Sequence, residues 1–143
     1  MNELLEKAER LKTASQTLAM LSTEEKNAAL EQIAKAIDRK RAVILAENEK
    51  DMAAGRAQGL SPALLDRLQL TNERIDQIIS GVRQVASLPD PVGDIIEEWT
   101  RPNGLRIQTV RVPLGVIGMV YEARPNVTVD AVSLCLKTGN AVL

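Results

Sequence analysis

The chain has 143 residues, 45% hydrophobic and 26% charged, and its 18 Lys and Arg against 19 Asp and Glu leave a net charge of −1. That length and apolar share suffice for one ordinary folded domain, and the balanced charge offers no basic field to nucleic acid or to an anionic membrane surface. The sequence holds no histidine and a single cysteine, Cys135, which excludes a Ser-His-Asp or Cys-His centre built from these residues and an internal disulfide, and argues against a zinc site.

The opening residues MNELLEKAERLKT are acidic and amphipathic, unlike a secretion signal, whose basic start runs into an apolar stretch. No segment approaches the roughly 18 uninterrupted apolar residues of a membrane span. With the lone cysteine, these features predict a cytoplasmic protein. Trp99 and Tyr121 are the aromatic residues of the sequence, too few for a base-stacking platform.

Residues 1–92 read as helices separated by short breaks. Leu4, Leu5, Ala8, Leu11, Ala14, Leu18 and Leu21 recur at three- and four-residue steps, the spacing of one helical face. Ser22 with Glu25 three places on has the spacing of a capping box. The helix it starts carries Leu30, Ile33, Ala34, Ile37, Val43, Ile44 and Leu45 and runs through Met52 toward a stop at Gly55 and Gly59. Ser61-Pro62 starts a short helix with Leu64, Leu65 and Leu68, because proline suits the first helical position. Thr71 starts another, with Ile75, Ile78, Ile79, Val82 and Val85 facing inward, which Leu88-Pro89-Asp90-Pro91 ends.

Over residues 93–112 the pattern changes to strands. Ile95, Glu97 and Trp99 lead into Arg101-Pro102-Asn103-Gly104, and Leu105, Ile107, Thr109 and Val110 lead away, a hairpin closed by an Asn-Gly turn. Two strands alone are marginal in water, so the hairpin rests either against its own chain or against another subunit. From residue 113 onward, Gly115 to Val120 reads as a deeply buried strand, Tyr121 to Asn126 as a polar loop, and Val127 to Lys137 as a helix. Gly139 is its stop and Ala141-Val142-Leu143 a second strand. This is the first β-α-β unit of a parallel, Rossmann-like sheet, so the fold class is α/β. The helix is apolar around most of its circumference, as where both sides are packed. A central strand needs sheet partners, so the chain is expected to be the amino-terminal part of a larger α/β enzyme.

The loop at the carboxyl end of the first parallel strand is where open α/β sheets bind ligands, next to the free amides of a helix start. Tyr121, Glu122, Arg124 and Asn126 gather there within an apolar stretch. They mark a candidate site, against the plainer alternative that Glu122 and Arg124 pair on the surface. Cys135 lies in an apolar helix, where a thiol behaves as a small hydrophobe. Gly115 and Gly118 fall short of a G-x-G-x-x-G fingerprint.

The run RVPLGVIGMVYEARPNVTVDAVSLCLKTGNAVL, with YEARPNVT followed by CLKTGNAV, resembles the γ-glutamyl phosphate reductase family of the aldehyde dehydrogenase superfamily. The likeness continues upstream through NEKDMAAGRAQGLSPALLDRLQLT. It implies NADPH-dependent reduction of L-glutamyl 5-phosphate to L-glutamate 5-semialdehyde with release of phosphate, in proline biosynthesis. It also implies a thioester on a cysteine downstream of Leu143, not on Cys135. Tyr121, Glu122, Arg124, Pro125, Asn126 and Thr128 match the family motif. By that match, Arg124, Asn126 and Glu122 bind substrate, with Asn126 donating to the oxyanion, and Tyr121, Pro125 and Thr128 border the cofactor. Ordinary aldehyde dehydrogenases have an oxyanion-stabilising Asn two residues before this proline, where the chain has Ala123. The resemblance further implies a homo-oligomer joined through the hairpin, and glutamate 5-kinase as a partner. The competing reading is a non-catalytic helical scaffold or dimerisation module.

Overall fold

A computed structural model describes residues 3–122 and 124–143. Its elements in chain order are α1 (Glu3–Leu18), α2 (Thr23–Arg39), α3 (Arg41–Ala57), α4 (Pro62–Leu68), α5 (Asn72–Ser87), β1 (Ile95–Thr100), β2 (Arg106–Val110), β3 (Val116–Ile117), α6 (Pro125–Lys137) and β4 (Ala141–Val142). The α/β class expected from the sequence is the one observed. β1 and β2 form an antiparallel hairpin, and β3 and β4 pair in parallel across the crossover helix α6.

The helix starts follow their sequence signals. Ser22 Oγ accepts from the Glu25 amide at 3.2 Å while Glu25 Oε2 accepts from the Ser22 amide at 2.8 Å, a complete capping box. Ser61 and Thr71 likewise accept from the amides of Leu64 and Arg74. Four details differ from expectation. The long helix from Ser22 is two, α2 and α3, broken at Lys40, whose φ of −97° and ψ of 8° leave the helical region. No Gly or Pro marks this break. Long-range contact holds it instead, as the Arg41 guanidinium donates to Asp38 (2.8 Å), to Asp76 (2.5 Å) and to the Asn72 carbonyl (3.1 Å) at the start of α5.

Gly55 is not a stop but a buried position inside α3. A Cβ there would stand 2.9 Å from Leu60 Cδ1 and 3.2 Å from Leu65 Cδ2, so the glycine lets α4 and its preceding turn close onto α3. The hairpin turn is longer than a two-residue Asn-Gly loop: the Gly104 amide donates to the Arg101 carbonyl across Pro102-Asn103, and the Arg101 amide donates to the Leu105 carbonyl at 2.9 Å. Gly104 has φ +84°, the left-handed residue that a bulged turn of this length needs. Finally, α1 buries Ser15 rather than its leucine stripe, and Leu4 and Leu5 are more than half exposed.

The core lies where α2, α5 and α6 meet. Leu30 and Ala34 from α2 and Ile75, Ile79 and Val82 from α5 are buried together, with Val129 and Leu136 of α6 packed against them. Burial of each large apolar side chain contributes about 1.5–3 kcal/mol. Polar groups tie the edges of this core. Lys26, only 1% exposed, pairs with Asp90 at 2.5 Å, and Asp90 also accepts from Thr23 Oγ1 (2.7 Å) and the Val92 amide (3.1 Å). Buried Lys137 donates to Asn27 Oδ1 (2.7 Å) and the Ala86 carbonyl (2.9 Å), binding the end of α6 to α2 and α5.

The parallel pair is shorter and more open than the sequence predicts. β3 covers Val116 and Ile117, both half-buried, while Met119 and Val120 are exposed. α6 packs on one side only: Ala131, Ser133, Cys135 and Lys137 are buried, but Val132 and Leu134 are exposed. A strand is enclosed only by neighbours on both edges and both faces, and among the described residues β3 has one strand partner, β4.

Candidate functional site

β3 and α6 position the loop singled out in the sequence. The strand runs on as a single ladder, with the Met119 amide donating to the Leu143 carbonyl at 2.9 Å. Its start is held by buried Asn140, whose Oδ1 accepts from the Gly115 amide at 2.9 Å while its Nδ2 donates to Thr138 Oγ1 at 2.9 Å. This clamp has no local signature, since an Asn after a helix-ending glycine reads as an ordinary turn residue.

Pro125 and Asn126 belong to the first turn of α6 rather than to the loop, which corrects the expected start at Val127. The reason is local. Proline fits the first helical position because its missing amide would have had no partner there, and it drives the preceding residue to extended backbone. Arg124 accordingly has φ −140° and ψ 88°. The α6 start has no side-chain cap. Ala123, the position compared with an oxyanion-stabilising Asn in the sequence, lies outside the described residues.

The six motif residues do not converge on one point. A cleft of about 370 Å³ lies between the end of α4, α5 and the first turns of α6, and Arg124, Pro125, Asn126 and Asp130 form its α6 wall. A smaller cleft of about 160 Å³ lies on the sheet side, lined by Tyr121, Thr128, Met119, Val132, Val142 and Leu143. Helical geometry enforces the division: at about 100° per residue, Asn126 and Asp130 lie close together on one face and Thr128 roughly opposite. Asn126 Nδ2 donates to Asp130 Oδ2 at 3.2 Å, and the Tyr121 and Thr128 hydroxyls bond to each other. Exposed Glu122 lines neither cleft, and among the described residues it forms no ion pair with Arg124. Cys135 is buried, and burial pushes its thiol pKa up, away from a reactive thiolate.

The other wall of the larger cleft comes from residues that no sequence motif marks. Arg67 and Gln69 from the end of α4, and Arg74 and Gln77 from α5, face Arg124 across it. Their spacing is that of any solvated helix surface, so only the packing of α4 and α5 beside α6 brings them to the site.

Helices packed over a parallel β-α-β unit, with polar side chains gathered after its first strand, define an α/β module of the kind that presents a ligand site at its strand ends. No family model matches the chain. It is 99% identical over all 143 residues to a γ-glutamyl phosphate reductase of Geobacillus thermodenitrificans and 89% identical to that of Geobacillus kaustophilus, in each case covering 34% of the relative. Among solved structures, the γ-glutamyl phosphate reductase of Thermotoga maritima superposes with a TM-score of 0.96 at 46% identity, covering 99% of this chain and 34% of that one. The Saccharomyces cerevisiae enzyme gives 0.94 at 30% identity, covering 99% of this chain and 36% of its own. The chain is thus similar over its whole length to γ-glutamyl phosphate reductases, and it spans about a third of the length of the curated relatives it matches.

Proposed function

We propose that the chain is the amino-terminal, cofactor-side part of a cytoplasmic enzyme that reduces L-glutamyl 5-phosphate to L-glutamate 5-semialdehyde with NADPH, releasing phosphate. The near-identity over all 143 residues to a relative bearing the name γ-glutamyl phosphate reductase carries this reading. The nucleophilic thiolate belongs to sequence beyond this chain, because Cys135 is buried with a raised pKa.

The two clefts suit a division of labour. The smaller one has a mostly apolar wall and one hydroxyl pair, Tyr121 with Thr128, a lining that fits a flat nicotinamide ring and its polar carboxamide. NADPH, when bound, supplies the hydride. Pro125 fixes the turn between the two faces. On the other face, Arg124 holds an anionic group of the substrate, since a guanidinium grips a carboxylate or phosphate through two parallel bonds. Asn126 keeps one N–H beyond its bond to Asp130 and donates it to the carbonyl oxygen as negative charge develops there. Glu122, exposed and outside both clefts, is assigned to substrate only by the motif match. The exposed hairpin β1–β2, separate from the core, serves as an oligomerisation arm.

The test is Arg124→Ala in the complete reductase. kcat/KM for the acyl-phosphate side should fall by about tenfold or more while KM for NADPH changes by less than about twofold. Equal losses toward both would make Arg124 a structural residue. The 143-residue chain alone should show no NADPH-dependent turnover, and steady activity from a rigorously purified sample would overturn the assignment of the thiolate.

A further inference from the structure

The larger cleft contains charges that nothing in the fold uses. Three guanidinium groups line it, from Arg67, Arg74 and Arg124, with two carboxylates, from Asp66 and Asp130. Arg74 and Asp66 are committed to each other: Arg74 Nη2 donates to Asp66 Oδ1 at 2.7 Å, and Nη1 donates to the Asp66 carbonyl and, at 2.7 Å, to that of Gln69. This pair closes the end of α4 onto α5 and is structural. What remains is Arg67, Arg124 and Asp130. Among the described residues neither guanidinium makes a hydrogen bond or an ion pair, and the Asp130 carboxylate receives only the 3.2 Å bond from Asn126.

Free cations and a free anion thus face one concavity without neutralising one another. A ligand that satisfies all of them carries both signs of charge on neighbouring atoms. An acyl phosphate or a dinucleotide pyrophosphate is purely anionic and would meet repulsion from Asp130. An α-amino acid head group has an ammonium to donate to Asp130 and a carboxylate to accept from a guanidinium fork. The volume, about 370 Å³, lies within the small-molecule range.

Resting on the reductase reading above, we propose that this cleft between α4, α5 and α6 is the specificity pocket for the α-amino acid end of the substrate, with Asp130 binding its ammonium and Arg124 with Arg67 its carboxylate. The phosphate-bearing end is then directed away from Asp130. The pocket tells an amino acid derivative from a plain acyl phosphate or aldehyde, and α4 and α5 contribute to substrate choice although they lie far from Arg124 in sequence.

The experiment uses the complete reductase in the reverse direction, with NADP⁺, phosphate and three aldehydes. These are L-glutamate 5-semialdehyde, 5-oxopentanoate, which lacks the ammonium, and 4-aminobutanal, which lacks the carboxylate. Asp130→Asn should reduce the preference for the full substrate over 5-oxopentanoate, measured as a ratio of kcat/KM values, by about 10- to 100-fold. Arg67→Gln and Arg124→Gln should instead erode the preference over 4-aminobutanal. All three side chains are exposed, so the core is untouched by these changes. Parallel losses on all three aldehydes, or unchanged preferences, would overturn the pocket. A wild-type complete protein inactive toward every aldehyde would remove the reductase reading itself, and the pocket with it.

Discussion

The helical core and the strand-bearing part of this chain solve the same problem in opposite ways. In α2, α5 and α6 the apolar residues meet their partners within the described residues: Leu30 and Ala34 are fully enclosed and Ile75 and Val82 nearly so. In the strands they do not. Ile95, Ile96, Trp99, Leu105 and Val110 on the hairpin, and Leu114 and Val120 around β3, remain exposed. Both regions carry comparable apolar content, so the difference lies in geometry. A helix buries one stripe against two neighbours, whereas a strand needs hydrogen-bonded partners along its edges as well as cover on its faces.

Stability measurements sharpen the contrast. Leu30→Ala empties a fully enclosed site and should cost about 2–5 kcal/mol, which urea denaturation followed by far-UV circular dichroism measures. A loss below about 1 kcal/mol would mean that the core relaxes around the cavity, against its close packing. Next is the buried pair at the edge of the same core. Lys26→Met leaves Asp90 without its cation, with an expected cost of about 3 kcal/mol, typical of breaking one partner out of a buried pair.

That pair also predicts a pH dependence. Burial pushes the Asp90 carboxyl up, but the hydrogen bond from Lys26, those from Thr23 and the Val92 amide, and the charge of Lys26 together outweigh it and hold the pKa below its ordinary value. A carboxyl with a depressed folded-state pKa contributes stability that is complete above its unfolded pKa, about 3.9, and is lost as pH falls through the folded value. The stability gap between the wild type and Asp90→Asn should therefore be widest near neutral pH and close below about pH 4. A gap that widens on acidification would reverse the sign assigned to Asp90.

Smaller effects mark the margins of the comparison. Ser22→Ala removes one half of the capping box and should cost about 1 kcal/mol. Ile95→Ala, on the exposed hairpin, should change the stability of the isolated chain by no more than about 0.5 kcal/mol. A loss there as large as that of Leu30→Ala would show the hairpin buried in solution, against another copy or against the chain itself.

The sequence by itself determined what depends on near neighbours: the caps at Ser22, Ser61 and Thr71, the apolar faces of α2 and α5, the hairpin around Asn103-Gly104, the crossover at α6 and the polar cluster after β3. These rest on spacings of two to four residues, and such spacings are written in the chain. The tertiary structure alone decided the break at Lys40, held by Arg41 reaching α5, and the depth at which Lys26 and Lys137 lie, since a lysine reads as solvated until a carboxylate or carbonyl from another element meets it. It also divided the polar cluster between two clefts. Pro125 moves the helix start to place Thr128 on one face and Asn126 with Asp130 on the other, and packing then sets Arg67 and Gln77, some fifty residues earlier in the chain, opposite Arg124. Contacts between residues so far apart leave no periodic trace, because what brings them together is the shape of three packed helices.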